Sequence, residues 1–135
     1  MTVLTNAMVL CFAQRLTGDD KYLQTAMYQL DYIFGRNALA ISYVTGHGEN
    51  AVKEPHNRPT IVDGIEEAIP GFVSGGPNKA PCDPDALAQI PRNTAPMKCH
   101  VDDWRSYSTN EITIYWNSPL VFILSFVNAK PIREK

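Results

Sequence analysis

The sequence lacks any apolar run of the roughly 20 residues that a membrane-spanning helix requires. Its longest apolar run, residues 120–127, is interrupted by Ser125. An excess of either charge is also absent, because 12 lysines and arginines face 14 aspartates and glutamates, for a formal net charge of −2 at pH 7. Nucleic acids and anionic membrane surfaces attract strongly basic proteins. We therefore expect no nucleic acid and no membrane among the partners of this chain.

Cysteine and histidine are too sparse for a metal centre. The three cysteines have no Cys-x2-Cys spacing, the three histidines are scattered, and no Gly-x4-Gly-Lys-Ser/Thr phosphate loop occurs. We therefore expect no metal and no cofactor. Cys11 falls on an apolar helical face and is interpreted as a packed thiol. Cys82 and Cys99 flank a proline-rich loop and can pair in an oxidising compartment, but sequence alone does not fix connectivity.

The N-terminus lacks the features of a secretory signal. Residues 1–6 have neither a basic start nor a small-residue cleavage site. We therefore expect any export signal to lie upstream of Met1.

Apolar residues recur at helical spacing in the first 35 residues. A first helix is predicted over residues 2–16, ended by Gly18, and a second follows with Asp19 or Asp20 as its cap and Gly35 as its stop. The apolar stripe of the second helix comprises Leu23, Ala26, Met27, Leu30, Ile33 and Phe34. The pattern predicts a helical hairpin over residues 2–35, the repeating unit of helical bundles and helical barrels.

The periodicity then fades over residues 36–107, which we predict to be active-site loops. Eight of the ten prolines fall between Gly46 and Pro96. A structureless connection of this length is unusual in a compact domain unless it builds a site. A short helix is predicted from Asp83 or Pro84 to Gln89, because Asp83 can cap it and Pro84 suits a first helical position.

Regular structure is predicted to return in a C-terminal helix over residues 108–128. Ser108, Thr109 or Asn110 can cap it. Pro119 leaves the Tyr115 carbonyl without its helical donor, so we expect a kink there or a restart capped by Asn117 or Ser118.

Residues 100–118 place carboxylates, aromatic rings and amides at fixed offsets around Glu111. Asp102 lies nine positions before it and Tyr107 four before it, and Asn117 and Ser118 follow at six and seven. Cleaving a glycosidic bond requires one carboxylic acid to protonate the leaving oxygen and a second carboxylate on the other face of the ring. The arrangement indicates a sugar-cleaving site.

This stretch resembles a signature of the family 9 glycoside hydrolases, the inverting cellulases. In that signature, aromatic-x-Asp, an aromatic five positions later and a Glu four beyond it lead into x-Ser/Thr/Ala-x3-Asn-Ser/Ala. The positions that fit are Asp102, Tyr107, Glu111, Thr113, Asn117 and Ser118. Only the leading aromatic departs, since position 100 is His100.

An upstream segment, residues 42–59, resembles the other signature of the same family. It contains Gly46, Gly48 and a closing His-x-Arg at His56 and Arg58. Residues 63–78 between the two signatures resemble the family's linking segment. The likeness therefore begins near Tyr32 and covers most of the chain.

The resemblance implies roles for individual residues. Glu111 is the implied general acid, and Asp102 and His56 are implied catalytic-site residues, with Asp102 orienting or electrostatically tuning the site. Arg58 and Tyr107 are implied to bind substrate. Trp116 offers a flat face on which a sugar ring can stack.

Structural alternatives exist for each of these residues. Glu111 can form a capping box with Ser108 at a helix start, and Asp102 can be an ordinary loop cap. His56 and Arg58 can be a surface pair. Tyr107 and Trp116 can be ordinary core residues.

For the fold, the resemblance implies an all-α chain that forms the C-terminal portion of an (α/α)6 helical barrel, with long loops that form a sugar cleft. Residues 1–135 would then be a fragment of a catalytic domain. The family's N-terminal Asp-x-Gly-Asp motif, which supplies the water-activating base, does not occur in the sequence.

For function, the resemblance implies inverting hydrolysis of β-1,4-glucosidic bonds in cellulose or related β-glucans. The implied partners are a β-glucan and the missing N-terminal part of the domain, and the parent enzyme is expected to be secreted or periplasmic. We expect this chain alone to be inactive and able to self-associate through exposed faces of its first two helices. The alternative is a non-catalytic helical domain that binds sugar or is a relic.

Overall fold

The computed structural model describes residues 2–129. Its helices are α1 (Thr2–Thr17), α2 (Asp20–Ile33), α3 (Arg58–Val62), α4 (Pro84–Gln89), α5 (Tyr107–Asn110) and α6 (Ile114–Asn128), and a 3-10 turn spans Pro96–Lys98. These residues contain no β-strand, only four isolated bridges. None of the helices within this range is long and apolar enough to cross a membrane.

Helices α1 and α2 form the predicted hairpin. Gly18 joins them with φ at +72°, a left-handed conformation that glycine adopts without steric cost, and its N–H donates to the Gln14 carbonyl at 2.8 Å. Asp19 caps α2 by accepting from the Lys21 N–H at 3.0 Å. The hairpin is therefore set by the local signals that the sequence carries.

The core lies where α1 meets α2 and α6. Its fully buried apolar members are Leu4, Ala7, Cys11, Ala26, Ile33, Tyr43, Val73 and Ile123. Cys11 is the packed thiol predicted from the sequence, and burial raises its pKa. Tyr43 and Val73 belong to the loops, so the loops share the core of the helices.

Four isolated bridges give the long loop its shape. They pair Ser42 with Ala51, Val44 with Val73, His56 with Glu111 and Ser74 with Ile112. Two of the four involve residues 111–112, the segment between α5 and α6. The loop is thus fastened at the position of the candidate acid.

The prediction of one continuous helix over residues 108–128 is wrong at residues 111–113, where the helix is interrupted. Helix α5 ends at Asn110, Glu111 is extended (φ −63°, ψ 151°), and α6 begins at Ile114. The Asn110 carbonyl accepts from the His56 N–H at 2.9 Å, and the Glu111 carbonyl accepts from the Gly75 N–H at 2.8 Å. A continuous helix would need both carbonyls for its own ladder, so these long-range bonds end it.

Helix α6 continues through Pro119, so the predicted restart just before it does not occur. Asn117 instead binds the loop: its Oδ1 accepts from the Val73 N–H at 3.2 Å, and its Nδ2 donates to the Gly71 carbonyl at 2.8 Å. This side chain fixes residues 71–73 against α6.

Cys82 and Cys99 are free thiols. Cys82 is exposed, whereas Cys99 is buried and its Sγ lies 3.4 Å from the Ala95 carbonyl. The disulfide that the sequence permits is therefore absent from this structure.

The helices also carry exposed apolar side chains. On α1 these are Val9, Phe12 and Leu16, and Leu16 is 85% exposed; Tyr28 on α2 and Val121 on α6 are also exposed. Contiguous exposed apolar patches are typical of interaction surfaces. Self-association through the first two helices remains a prediction.

Candidate active site

The segment between α5 and α6 holds Glu111 beside a second loop. Glu111 forms a parallel β-bridge with His56, and its backbone carbonyl accepts a hydrogen bond from the Gly75 N–H. The side chain is half-buried, and within residues 2–129 its carboxylate forms no hydrogen bond or ion pair. The capping box with Ser108 does not form, because Glu111 follows α5 instead of starting a helix. Hydrogen bonds therefore fix the backbone of Glu111, while its carboxylate oxygens are left available to a ligand.

The imidazole of His56 is oriented by a backbone carbonyl. Its Nδ1 lies 2.5 Å from the carbonyl oxygen of Trp104. A carbonyl only accepts, so Nδ1 carries the hydrogen and Nε2 is left for another partner. The ring lies edge-on to Tyr107, with centroids 6.0 Å apart. The structure thus brings together two of the site residues predicted from the sequence.

Asp102 holds the loop that leads to His56. Its two carboxylate oxygens accept from the Lys53 N–H at 2.8 Å and the Glu54 N–H at 3.0 Å, and the Asn110 Nδ2 donates to it at 3.2 Å. Both oxygens are therefore engaged. This geometry suits a residue that orients the site.

Asn110 is a buried residue that the sequence analysis did not single out as part of the site. Its side chain joins Ser74, Glu54 and Asp102, and its backbone carbonyl joins His56. Ser74, His56 and Glu54 lie 36 to 56 positions away and Asp102 lies 8 away, so no local sequence pattern predicts these contacts.

Asp83 is a second residue whose tertiary role was missed. Its N-cap contact to the Ala86 N–H at 2.6 Å was predicted, but the same buried carboxylate also accepts from Ser106 Oγ at 3.2 Å and Ser108 N–H at 3.0 Å. The hydroxyl of Ser108 donates to it as well. Because residues 106 and 108 flank Tyr107, Asp83 fixes the backbone on both sides of that ring.

Arg58 and Trp116 lie at the edges of this arrangement. Arg58 is the exposed first residue of α3, and within residues 2–129 no hydrogen bond or ion pair involves its side chain. Trp116 is half-buried: a Cβ atom at Gly75 would lie 2.9 Å from its ring, and Tyr115 contacts it edge-on at 5.7 Å. Trp116 therefore supports the loop whose N–H holds the Glu111 carbonyl.

Asp103, adjacent to Asp102, is engaged elsewhere. It pairs with Arg105 at 2.6 Å and accepts from Gln89 at 3.2 Å. In the part of the chain that the structure covers, no group of three or more His, Cys, Asp or Glu side chains could hold a metal ion.

Two buried carboxyl groups, Asp83 and Asp103, have lowered pKa values that predict acid-sensitive stability. The hydrogen bonds from Arg105 lower the pKa of Asp103 to about 2. Burial raises the pKa of Asp83, but hydrogen bonds from Ser108 and the Ala86 N–H outweigh it and bring the pKa below its ordinary value. Groups with lowered folded pKa values stabilise above the unfolded value of about 3.9, and that stability is lost as pH falls through the folded value.

We therefore expect the free energy of unfolding to decline from about pH 4 toward about pH 2. Urea titrations over this range should show the decline in the unaltered chain and a shallower one in Asp103→Asn. Equal acid dependence in both proteins would contradict the assignment to Asp103.

A groove of about 530 Å³ adjoins the site. It is lined by Gly46, Gly48, Glu49 and residues 51–54 and 66–68, including Lys53 and Glu54 just before His56.

Comparison with known proteins identifies the family. The family model for glycosyl hydrolase family 9 matches residues 1–124. The chain belongs to glycosyl hydrolase family 9. Among its relatives, a cellodextrinase of Butyrivibrio fibrisolvens is 53% identical over 125 residues, which cover 93% of this chain and 23% of the relative. Endoglucanase C of Cellulomonas fimi is 40% identical, covering 96% of this chain and 13% of the relative.

Solved family 9 structures share the fold. A structure of AaCel9A in complex with cellobiose-like isofagomine superposes with a TM-score of 0.84 at 38% identity, covering 92% of this chain and 24% of that one. A Bacteroides ovatus family 9 structure gives 0.80 at 39% identity, covering 93% and 20%. The predicted fold class is confirmed: the chain is all-α over residues 2–129 and forms part of an (α/α)6 barrel. It spans about a quarter or less of the length of these family 9 relatives.

Proposed function

We propose that this chain supplies the proton-donating part of an inverting β-1,4-glucan hydrolase, with Glu111 as general acid. The observation that carries the proposal is the position of Glu111: its backbone is bridged to His56, and its carboxylate has no partner within residues 2–129. The names of the family 9 relatives, cellodextrinase and endoglucanase among them, support the substrate class.

In the proposed mechanism Glu111 protonates the departing glycosidic oxygen while a second carboxylate activates water on the other face of the sugar. Asp102 is a poor candidate for that second carboxylate because both of its oxygens hold backbone N–H groups. We place the water-activating carboxylate outside this chain. The chain alone is then inactive.

The remaining site residues are proposed to hold the sugar. Tyr107 is 45% exposed and offers a ring face, and the free Nε2 of His56 can hydrogen-bond a hydroxyl. Arg58 supplies exposed donors two residues further on. Trp116 is proposed either to offer a ring face on which a sugar stacks or to support the loop at Gly75.

A chimeric enzyme tests this proposal. The matching 125-residue segment of the Butyrivibrio fibrisolvens cellodextrinase is replaced by that of this chain. The chimera should hydrolyse cellotetraose and release the α-anomer first, as seen by NMR during the first turnovers, whereas the 135-residue chain alone should show negligible hydrolysis.

Two results would overturn the proposal. Initial release of the β-anomer would contradict inversion. A folded chimera that binds cellotetraose without cleaving it would favour the non-catalytic alternative.

A further inference from the structure

We propose that Asn110 is a positioning residue for Glu111 and His56, acting through its buried carboxamide. The inference rests on the proposed function, because it assigns Asn110 to the geometry of that same site. Asn110 has no exposed surface and directly precedes Glu111 in the chain.

The carboxamide of Asn110 uses all of its hydrogen-bonding groups. Its Oδ1 accepts from Ser74 Oγ at 2.8 Å. Its Nδ2 donates to the Glu54 carbonyl at 2.6 Å and to Asp102 Oδ1 at 3.2 Å. One side chain thus joins three loop segments to the segment that carries the candidate acid.

The backbone of Asn110 completes the link to His56. Its carbonyl accepts from the His56 N–H at 2.9 Å, while the next carbonyl, that of Glu111, accepts from Gly75. The peptide units that precede Glu111 and His56 are therefore hydrogen-bonded to each other, and the Asn110 carboxamide also binds the Glu54 carbonyl, one peptide unit further back on the His56 loop. A shift of Asn110 moves both side chains.

Only an amide satisfies these partners. The site demands one acceptor toward Ser74 and two donors toward acceptors at Glu54 and Asp102, which is the inventory of asparagine. Aspartate has the same shape, but when ionised it offers no donor and places a charge against the Asp102 carboxylate. When protonated it regains one donor.

The Asn110→Asp variant should therefore depend on pH in a way that the unaltered enzyme does not. Burial and the facing carboxylate raise the pKa of a carboxyl group at this position. The titratable groups around it are Asp102 in direct contact, Glu111 next in the chain, Glu54 and His56 on the bonded segment, and His100, whose Nδ1 contacts the Thr109 carbonyl. Of these, only Asp102 presents a charged group to the Asn110 side chain in the contacts above.

The test uses the chimeric enzyme with cellotetraose. Asn110→Ala should lower kcat about 100-fold at every pH with KM changed less than about threefold, because small misplacements of reacting groups cost about that much in rate. Asn110→Asp should remain within about tenfold of the unaltered kcat near pH 5 and fall by about 100-fold near pH 8, as its new carboxyl ionises. Asn93→Asp, an exposed change in the same loop region, is the matched control and should follow the unaltered profile.

An Asn110→Asp variant with the pH profile of the unaltered chimera would overturn the inference, because the shape of the side chain alone would then be enough to position the site. An Asn110→Ala variant with unaltered kcat would overturn it as well. Ser74→Ala, which leaves both amide donors in place, should lower kcat only several-fold and keep the pH profile.

Hydrogen exchange on the 135-residue chain separates this inference from the proposed function. In Asn110→Asp near neutral pH, the amides of Lys53, Glu54 and His56 should exchange faster while those of α1 and α2 keep their protection. Unchanged exchange at these three amides would refute the positioning role even if the chimera hydrolyses sugar. An inactive unaltered chimera with the expected exchange would refute the proposed function and leave the positioning role supported.

Discussion

Glu111→Gln in the chimeric enzyme is expected to lower kcat on cellotetraose by about 10²–10⁴-fold, the range that a general acid contributes. Glutamine keeps the shape and the backbone contacts to His56 and Gly75 but has no transferable proton. The loss should therefore fall on kcat, with KM close to that of the unaltered chimera. Initial rates over a range of cellotetraose concentrations measure both constants.

Glu67→Gln is the matched control for this prediction. Glu67 is an exposed carboxylate that lines the adjoining groove but lies outside the segment bridged to His56. It should retain kcat within about threefold, as expected for a group that takes no part in proton transfer. A comparable loss of kcat in both variants would remove the reason to single out Glu111.

Asp83→Ala is expected to lower the free energy of unfolding by about 2–4 kcal/mol, because several buried donors lose their acceptor at once. The affected donors are the N–H groups of Ala86 and Ser108 and the hydroxyls of Ser106 and Ser108. Urea denaturation of the 135-residue chain measures the loss.

Asp85→Ala, on the same helix α4, provides the control. Asp85 makes one surface ion pair, 3.2 Å from Arg105, and pairs of this kind contribute about 0–1 kcal/mol. If Asp83→Ala lowers the free energy of unfolding no more than Asp85→Ala does, the buried Asp83 carboxylate does not stabilise the fold through these hydrogen bonds.

The helical part of the fold could be predicted because its signals are local. Gly18 sits at the turn with positive φ, and Asp19 caps α2 through a residue two positions on. The Asp83–Pro84 start of α4 is equally local. Turn and capping residues act on neighbours within a few positions, so the sequence alone is enough to predict them.

The site's supporting contacts could not be predicted because they join distant segments. Glu111 is extended, not helical, owing to partners at His56 and Gly75, and the carboxylate of Asp102 binds N–H groups 48 and 49 positions away. Motif spacing predicted Glu111, His56 and Tyr107, which the structure brings into contact through a bridge and an edge-on ring pair. It did not identify Asn110, whose partners become neighbours only after the loops fold.

The most direct measurement compares two leaving groups in the chimera. Dinitrophenyl β-cellobioside releases an anion that needs no protonation, whereas cellotetraose releases a poor leaving group that does. If Glu111 is the proton donor, Glu111→Gln should lose about 10²-fold or more on cellotetraose and less than about tenfold on the dinitrophenyl substrate. Equal losses on the two substrates would contradict a proton-donating role for Glu111.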